Sequence, residues 1–247
     1  MNWSVKWDKF ISTMENEYFR DLLLKGLGNT VKVAVLGLLI GILIGSIIAV
    51  VKVAPKYKII IRILDKICTM YVAIFRGTPI VVQLSLAYYV LLPTMGIRDV
   101  DSLTVGIIVF GMNSGAYVSE MMRGGLNSVD IGQMEAGRAL GLSYPVTMIK
   151  IIIPQAIKNI LPTLGNEFIT LIKETSVLSF ITVYDLYTAL VSTIGAKNYE
   201  KMVPYIVLAV IYIVLVLIIT LMVKLLEKAF AKSDRTRAQG KKSAKAV

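Results

Sequence analysis

Residues 135–154 read EAGRALGLSYPVTMIKIIIP, from Glu135 to Pro154, and the assignment of the whole chain turns on them. The stretch is polar and charge-bearing, yet it lies between long hydrophobic runs. Glu135, Arg138 and the apolar positions around them recur at helical spacing, Gly141 and Ser143 interrupt the pattern, and a second helical run ends at Pro154. This predicts a short helix, a break and another helix, which is the form of a docking element facing the cytosol. An ordinary loop at the membrane interface is the competing reading.

The flanking sequence is that of an integral membrane protein. Of 247 residues, 56% are hydrophobic, and the mean hydropathy is +0.71, above that of ordinary soluble domains. The formal net charge of +11 could suggest nucleic acid, but the Lys and Arg residues sit beside apolar runs and in the C-terminal tail, as a positive-inside bias would place them. No nucleic-acid role is expected. The chain has no His and a single Cys, Cys68, so neither a disulfide nor a Cys/His metal site can be built from it. No G-x-x-x-x-G-K-[ST] motif occurs, and Glu15 and Glu17 belong to no catalytic constellation. The chain is therefore expected not to be an enzyme and to need no cofactor or metal; any ATP hydrolysis must come from another polypeptide.

Upstream, residues 1–21 carry Trp3, Trp7 and Tyr18 but no apolar core run, so they are not expected to be a cleaved signal peptide. They suit an external helix lying at the membrane surface, or else a plain polar leader. The stretch Val33 to Val51 is uncharged, and Gly37, Gly41 and Gly45 recur every four residues. That is the pattern of a packing face, with glycines merely tolerated against lipid as the alternative. The link Lys52 to Lys66 is basic and hence cytosolic, and its apolar positions suggest a helix along or obliquely into the interface. Arg76, Gly77, Thr78 and Pro79 then predict a helix break, followed by an uncharged run to Ile97 that is long enough to cross.

A third span is expected to begin near Leu103, after an external turn containing Asp99 and Asp101. In it Asn113, Tyr117 and Glu120 share one helix face, which does not belong in lipid. A fourth, less hydrophobic span is read in Leu164 to Leu190. There Asn166, Thr170 and Lys173 lie close together on a helix, with Glu167 and Glu174 to one side. A charge at the bilayer centre costs about 2.5 to 3.5 kcal/mol, so these residues should face a bundle interior or a watery path. If the span instead starts near Leu171, Lys173 and Glu174 sit at headgroup depth; both placements stay open. Val203 to Val223 is the fifth span, and residues 231–247 read as a disordered basic cytoplasmic tail.

Several of these segments are similar to the membrane subunits of bacterial ABC importers, whose cytoplasmic loop signature is E-A-A-x3-G-x9-I-x-L-P. This chain supplies Glu135, Ala136, Gly141, Ile151 and Pro154; it departs at Gly137, where the signature has Ala, and at Ile153, where it has Leu. The R-G-T-P, the run AYVSEMMRGGL and the run NEFITLIKETSVLS resemble the polar amino-acid branch, including the permeases for histidine, glutamine and arginine. The match covers roughly Gly26 to Phe230.

The resemblance implies an all-α helical bundle of the type I importer fold, residues 22–230, with five transmembrane helices and a cytoplasmic coupling-helix loop at about 123–162. It implies a multi-pass protein of the bacterial cell membrane. Its partners would be two ATP-binding cassette subunits, a second permease copy or homologue, an external substrate-binding protein, and a polar amino acid as cargo. With the basic segments on one side, five spans put the N-terminus outside and the C-terminus in the cytoplasm. The alternatives are an ion-coupled secondary transporter working through Lys173 and Glu174, or a channel subunit without ATP coupling.

Overall fold

The computed structural model describes the backbone of residues 2–243 and the side chains of residues 2–229, and the described residues contain helices but no strand. The principal helices are α1 (Trp3–Met14), α2 (Glu17–Val53), α3 (Ile59–Gly77), α4 (Ile80–Thr94), α5 (Ser102–Asn127), α6 (Ile131–Ala139), α7 (Ile153–Glu174) and α8 (Met202–Ser243).

Local chemistry sets the helix ends. The Asn16 side chain accepts from the Tyr18 amide at 2.9 Å to open α2, which stops just before Pro55. Asp101 caps α5, accepting from the Thr104 amide at 3.1 Å and the Thr104 hydroxyl at 2.9 Å. The Thr104 hydroxyl bond holds the Asp101 carboxyl below its ordinary range.

The centre of the bundle is the pairing of α2 with α5. Gly37, Gly41 and Gly45 are all buried, and a Cβ added at Gly41 would lie 2.6 Å from Ser114 Oγ, one at Gly45 2.7 Å from Val118 Cγ1. From the other side, Ile40 and Ile44 press into Gly111 and Gly115 of α5. The four-residue glycine spacing is thus a packing face and not a lipid face. Around this seam, Val33, Leu84, Phe110, Leu171, Leu178 and Ile181 build the main core.

The second expected crossing is a bent pair. Helix α3 ends at Gly77, Thr78 and Pro79 are extended, and α4 leaves at 106° to α3. By length and composition α2, α5 and the Met202–Ala229 part of α8 can each cross a membrane, and the bent pair adds a fourth crossing if its two helices make one span. Helix α7, with Asn166, Glu167, Lys173 and Glu174, does not reach that apolar composition.

The expected fourth span, 164–190, is not one continuous helix. It is α-helical to Glu174, tightens into a 3-10 helix over Thr175–Ile181, and is broken at Thr182, whose φ is +63°. The hydroxyls of Thr175 and Ser179 bond back to the carbonyls of Ile172 and Ser176 at 2.7 and 3.0 Å, which draws the chain out of regular α geometry. The segment beyond is pinned to α2: Asn29 Nδ2 donates to the Tyr184 carbonyl at 2.9 Å, and the Leu186 amide donates to Thr30 Oγ1 at 3.2 Å.

At the C-terminus the backbone of α8 continues as helix to Ser243 through most of the stretch expected to be disordered. Its Ala, Lys, Arg and Gln residues are good helix formers. Residues 244–247 of the expected tail lie outside the described residues.

Candidate functional site

The stretch 130–154 folds as a helix, a sharp reversal and a second helix. Asp130 caps α6 by accepting from the Gly132 amide at 2.7 Å. The helix ends where Gly141 takes φ +82°, with the Leu142 amide donating to the Gly137 carbonyl at 3.1 Å and the Gly141 amide to the Arg138 carbonyl at 3.0 Å. This left-handed cap favours glycine at 141. The chain restarts over Tyr144–Thr147, passes through a π-helical turn at Met148–Ile152 and enters α7.

Gly137 is the contact point of the two arms. An added Cβ there would lie 2.6 Å from Cγ2 and 3.1 Å from Oγ1 of Thr147, which is fully buried. The arms are therefore held closer than an alanine at 137 would allow. Glu135 and Ala136 face outward, beside Ile131 and Leu140, which are 74% and 82% exposed. Ile151, on the second arm, is half-buried toward Gly137 of the first, and Pro154 is exposed. A stiff, reversed element with exposed apolar residues on both sides of a carboxylate can seat in a partner's groove. The Tyr144 hydroxyl reaches the Val53 carbonyl at 3.5 Å, tying the element to the end of α2, and burial pushes this phenol's pKa up.

Two further polar groups lie within the bundle. The first is the α5 face. Asn113, only 5% exposed, donates to the Phe75 carbonyl at 3.3 Å and to Gln83 Oε1 at 3.0 Å. Gln83 Nε2 in turn donates to the carbonyls of Phe75 and Thr78 and to the Thr78 hydroxyl, at 2.9 to 3.0 Å. These amides hold the broken ends of α3 and α4 onto α5. One helical turn on, the Arg76 guanidinium sits 5.2 Å from the centre of the Tyr117 ring. Glu120 Oε2 lies 2.6 Å from Arg123 and 4.0 Å from Arg76, while its Oε1 lies 3.2 Å from Lys52. The break thus meets the α5 face in one cluster: Arg76 reaches Tyr117 and Glu120 directly, and Thr78 is linked to Asn113 through Gln83.

The second group is on α7. Asn166, Thr170 and Lys173 are exposed along one side, with Glu174 half-buried beside them. Glu167 turns the other way and accepts from the fully buried Ser114 hydroxyl at 2.8 Å. The two polar stripes share no hydrogen bond among the described residues. Gln83, Thr147 and Ser114 were not singled out by sequence, nor were Lys52 and Glu167 with the partners they have here. The usable signal was a lone Gln83 in an apolar run.

Residues 37–232 match the family described as "Binding-protein-dependent transport system inner membrane component". The chain belongs to this family. Among its relatives, the arginine transport system permease protein ArtQ of Bacillus subtilis is 37% identical over 190 residues, 77% of this chain and 84% of ArtQ. The putative glutamine transport system permease protein GlnP of Rickettsia bellii is 39% identical over 199 residues, 81% of this chain and 88% of GlnP. A solved structure described as an amino acid ABC transporter with histidines matches with a TM-score of 0.79 and 38% identity, over 89% of this chain and 98% of that one. As a binding-protein-dependent inner membrane component of type I importer fold, the chain is a multi-pass membrane protein and a permease subunit, with ATP hydrolysis on a separate subunit.

Proposed function

We propose that this permease carries a polar amino acid across the bacterial cell membrane, driven by two ATPase subunits that engage residues 130–154. The carrying observation is the seating of Gly137 on Thr147, which locks the two arms into one rigid piece with Glu135, Ala136, Ile131 and Leu140 outermost. Such a piece transmits force from a partner, and its motion can bias the bundle only if the partner holds it differently in each nucleotide state. The cargo class is drawn from the relatives named for arginine and glutamine.

The translocation path we assign to Asn166 and Thr170, with Lys173 and Glu174 at one end. Their exposed side is completed by a second permease, identical or homologous, and an external binding protein delivers the cargo. Zwitterions lose less on leaving water where a path offers donors and acceptors. Asn113, Tyr117 and Glu120 flank that path by shaping the α3–α4 bend beside it. The start of the basic link 52–66 and the segment 130–154 meet at the Tyr144–Val53 contact, so both lie at one end of the bundle; we assign that end to the cytoplasm and the N-terminal helix to the outside.

The test is uptake of labelled amino acids by the permease co-expressed with its ATPase and binding-protein partners. Saturable, ATP-dependent uptake of one or a few polar amino acids is expected. Uptake that follows an ion gradient and ignores ATP would replace this reading with the secondary-transporter one.

A further inference from the structure

The first helix is not used by the transport function just proposed, and its three sides differ in chemistry. At about 100° per residue, Lys6, Phe10, Thr13 and Met14 fall on one side of α1. This side is docked on the rest of the chain. Lys6 pairs with Glu200 at 3.1 Å, Lys9 Nζ donates to the Asn198 carbonyl at 2.7 Å, and Asn198 Nδ2 donates to Thr13 Oγ1 at 2.8 Å. Phe10 and Met14 pack on the core around Phe19, Leu190 and Leu208. Asp8, Ser12 and Glu15 form a polar side exposed to water.

The remaining side, next to the docked one, carries Trp3, Trp7 and Ile11, all exposed. Its position in the fold limits what can cover it. The docking partners Asn198 and Glu200 come immediately before α8, whose outward apolar residues begin at Tyr205 and Ile206 and continue to Leu226. Tyr18 and Leu24 on α2 are exposed at the same end. The apolar side of α1 therefore lies at the same end of the bundle as the first outward apolar residues of two helices able to span a membrane. It adds aromatic residues at the level where a span begins, the depth that Trp and Tyr prefer.

We propose that α1 is an interfacial anchor: its Trp3–Trp7–Ile11 side lies in the headgroup region of the bilayer, at the end of the bundle opposite residues 130–154. The occupant of this side is lipid, not a second copy or a binding protein. The ion pair and amide bonds to residues 198–200 then fix the level at which the start of α8 meets the membrane. This geometry matches an amphipathic helix lying in the interface plane.

The chain supplies its own probe, because Trp3 and Trp7 are its only two tryptophans. The full chain would be reconstituted into phosphatidylcholine and phosphatidylglycerol vesicles in which part of the phosphatidylcholine is brominated, either near the carbonyl end of the acyl chain or near its middle. The expected result is blue-shifted emission, greater loss of intensity with shallow bromines than with deep ones, and little quenching by iodide. In Ile11→Asp the emission should move to the red and become open to iodide, whereas Ile11→Leu should match the parent. Emission quenched by iodide and insensitive to bromines would overturn the proposal, putting the side in water. Insensitivity to both would overturn it in favour of a protein partner, and stronger quenching by deep bromines would overturn it in favour of a span.

Discussion

Asn113 and Gln83 join across the 106° bend: the Asn113 amide donates to Gln83 Oε1 at 3.0 Å while Gln83 spends its own amide on the freed carbonyls of Phe75 and Thr78. A bent helix leaves backbone carbonyls without intrahelical partners, and in a membrane these have no water to turn to. Two side-chain amides therefore stabilise the break.

Removing either amide should loosen the bend. Asn113→Leu or Gln83→Leu should each cost about 1–2 kcal/mol, the size of an interhelical hydrogen bond in a membrane protein. The double variant should cost less than the sum, because the second substitution removes a group already left unpaired. Thermal unfolding in detergent of the four proteins checks this; strict additivity would mean that the two amides act independently.

At the docking element, Gly137→Ala should restore the family's usual residue and yet impair this chain. The added methyl meets Thr147 Cγ2, so an overpacking cost of about 1–3 kcal/mol is expected. Thr147→Ser removes that carbon, and the pair Gly137→Ala with Thr147→Ser should recover. Binding-protein-stimulated ATP turnover in the reconstituted complex is the measurement, and failure of the serine to rescue would place the defect elsewhere.

Glu135→Arg should uncouple transport from ATP while the chain still inserts and folds. The residue is exposed, so reversal of its charge meets a partner and not the interior. Gly141→Val should act differently, because a β-branched residue at φ +82° strains the turn itself. Loss of uptake with normal thermal stability is expected for the first, and loss of both for the second. Normal uptake in Glu135→Arg would argue against docking at that face.

Cysteine scanning in a Cys68→Ser background separates the two polar stripes. Cysteines at 166 and 170 should react with a small water-soluble thiol reagent, and cargo should protect them. A cysteine at 113 should stay unreactive, since that position is closed off by Phe75 and Gln83. Reaction at 113 with silence at 166 and 170 would move the path to α5.

The parts of this architecture that sequence discloses are those governed by short-range spacing. Gly37, Gly41 and Gly45 declare a close-packed face through their period alone, and Gly77 with Pro79 announces where a helix must stop. Gly141 marks the reversal in the docking element for the same kind of reason. What stays hidden depends on groups far apart in the chain. Sequence shows Asn113 but not the Gln83 and Phe75 beside it, and Glu120 but not the Lys52, Arg76 and Arg123 that converge on it from three helices. The end of the fourth span was missed because hydropathy does not register the backbone bonding of Thr175 and Ser179. Gly137 shows in the sequence only as a departure from Ala, since its partner Thr147 lies across a turn.

The interlock of α2 and α5 restricts how the molecule can move. Sliding one helix along the other would advance it by about 1.5 Å per residue, and even a fraction of that drives Ile40 into the backbone around Gly111, or Ser114 into that around Gly41. The two helices must travel as a single beam. Because α5 leads within a few residues into α6, displacing α6 would displace α2 along with α5. Outside this pair the helical ladder is interrupted at the Gly77–Pro79 elbow, where Asn113 and Gln83 tie the freed carbonyls, and at the Thr182 corner, beyond which the chain is fastened back to α2.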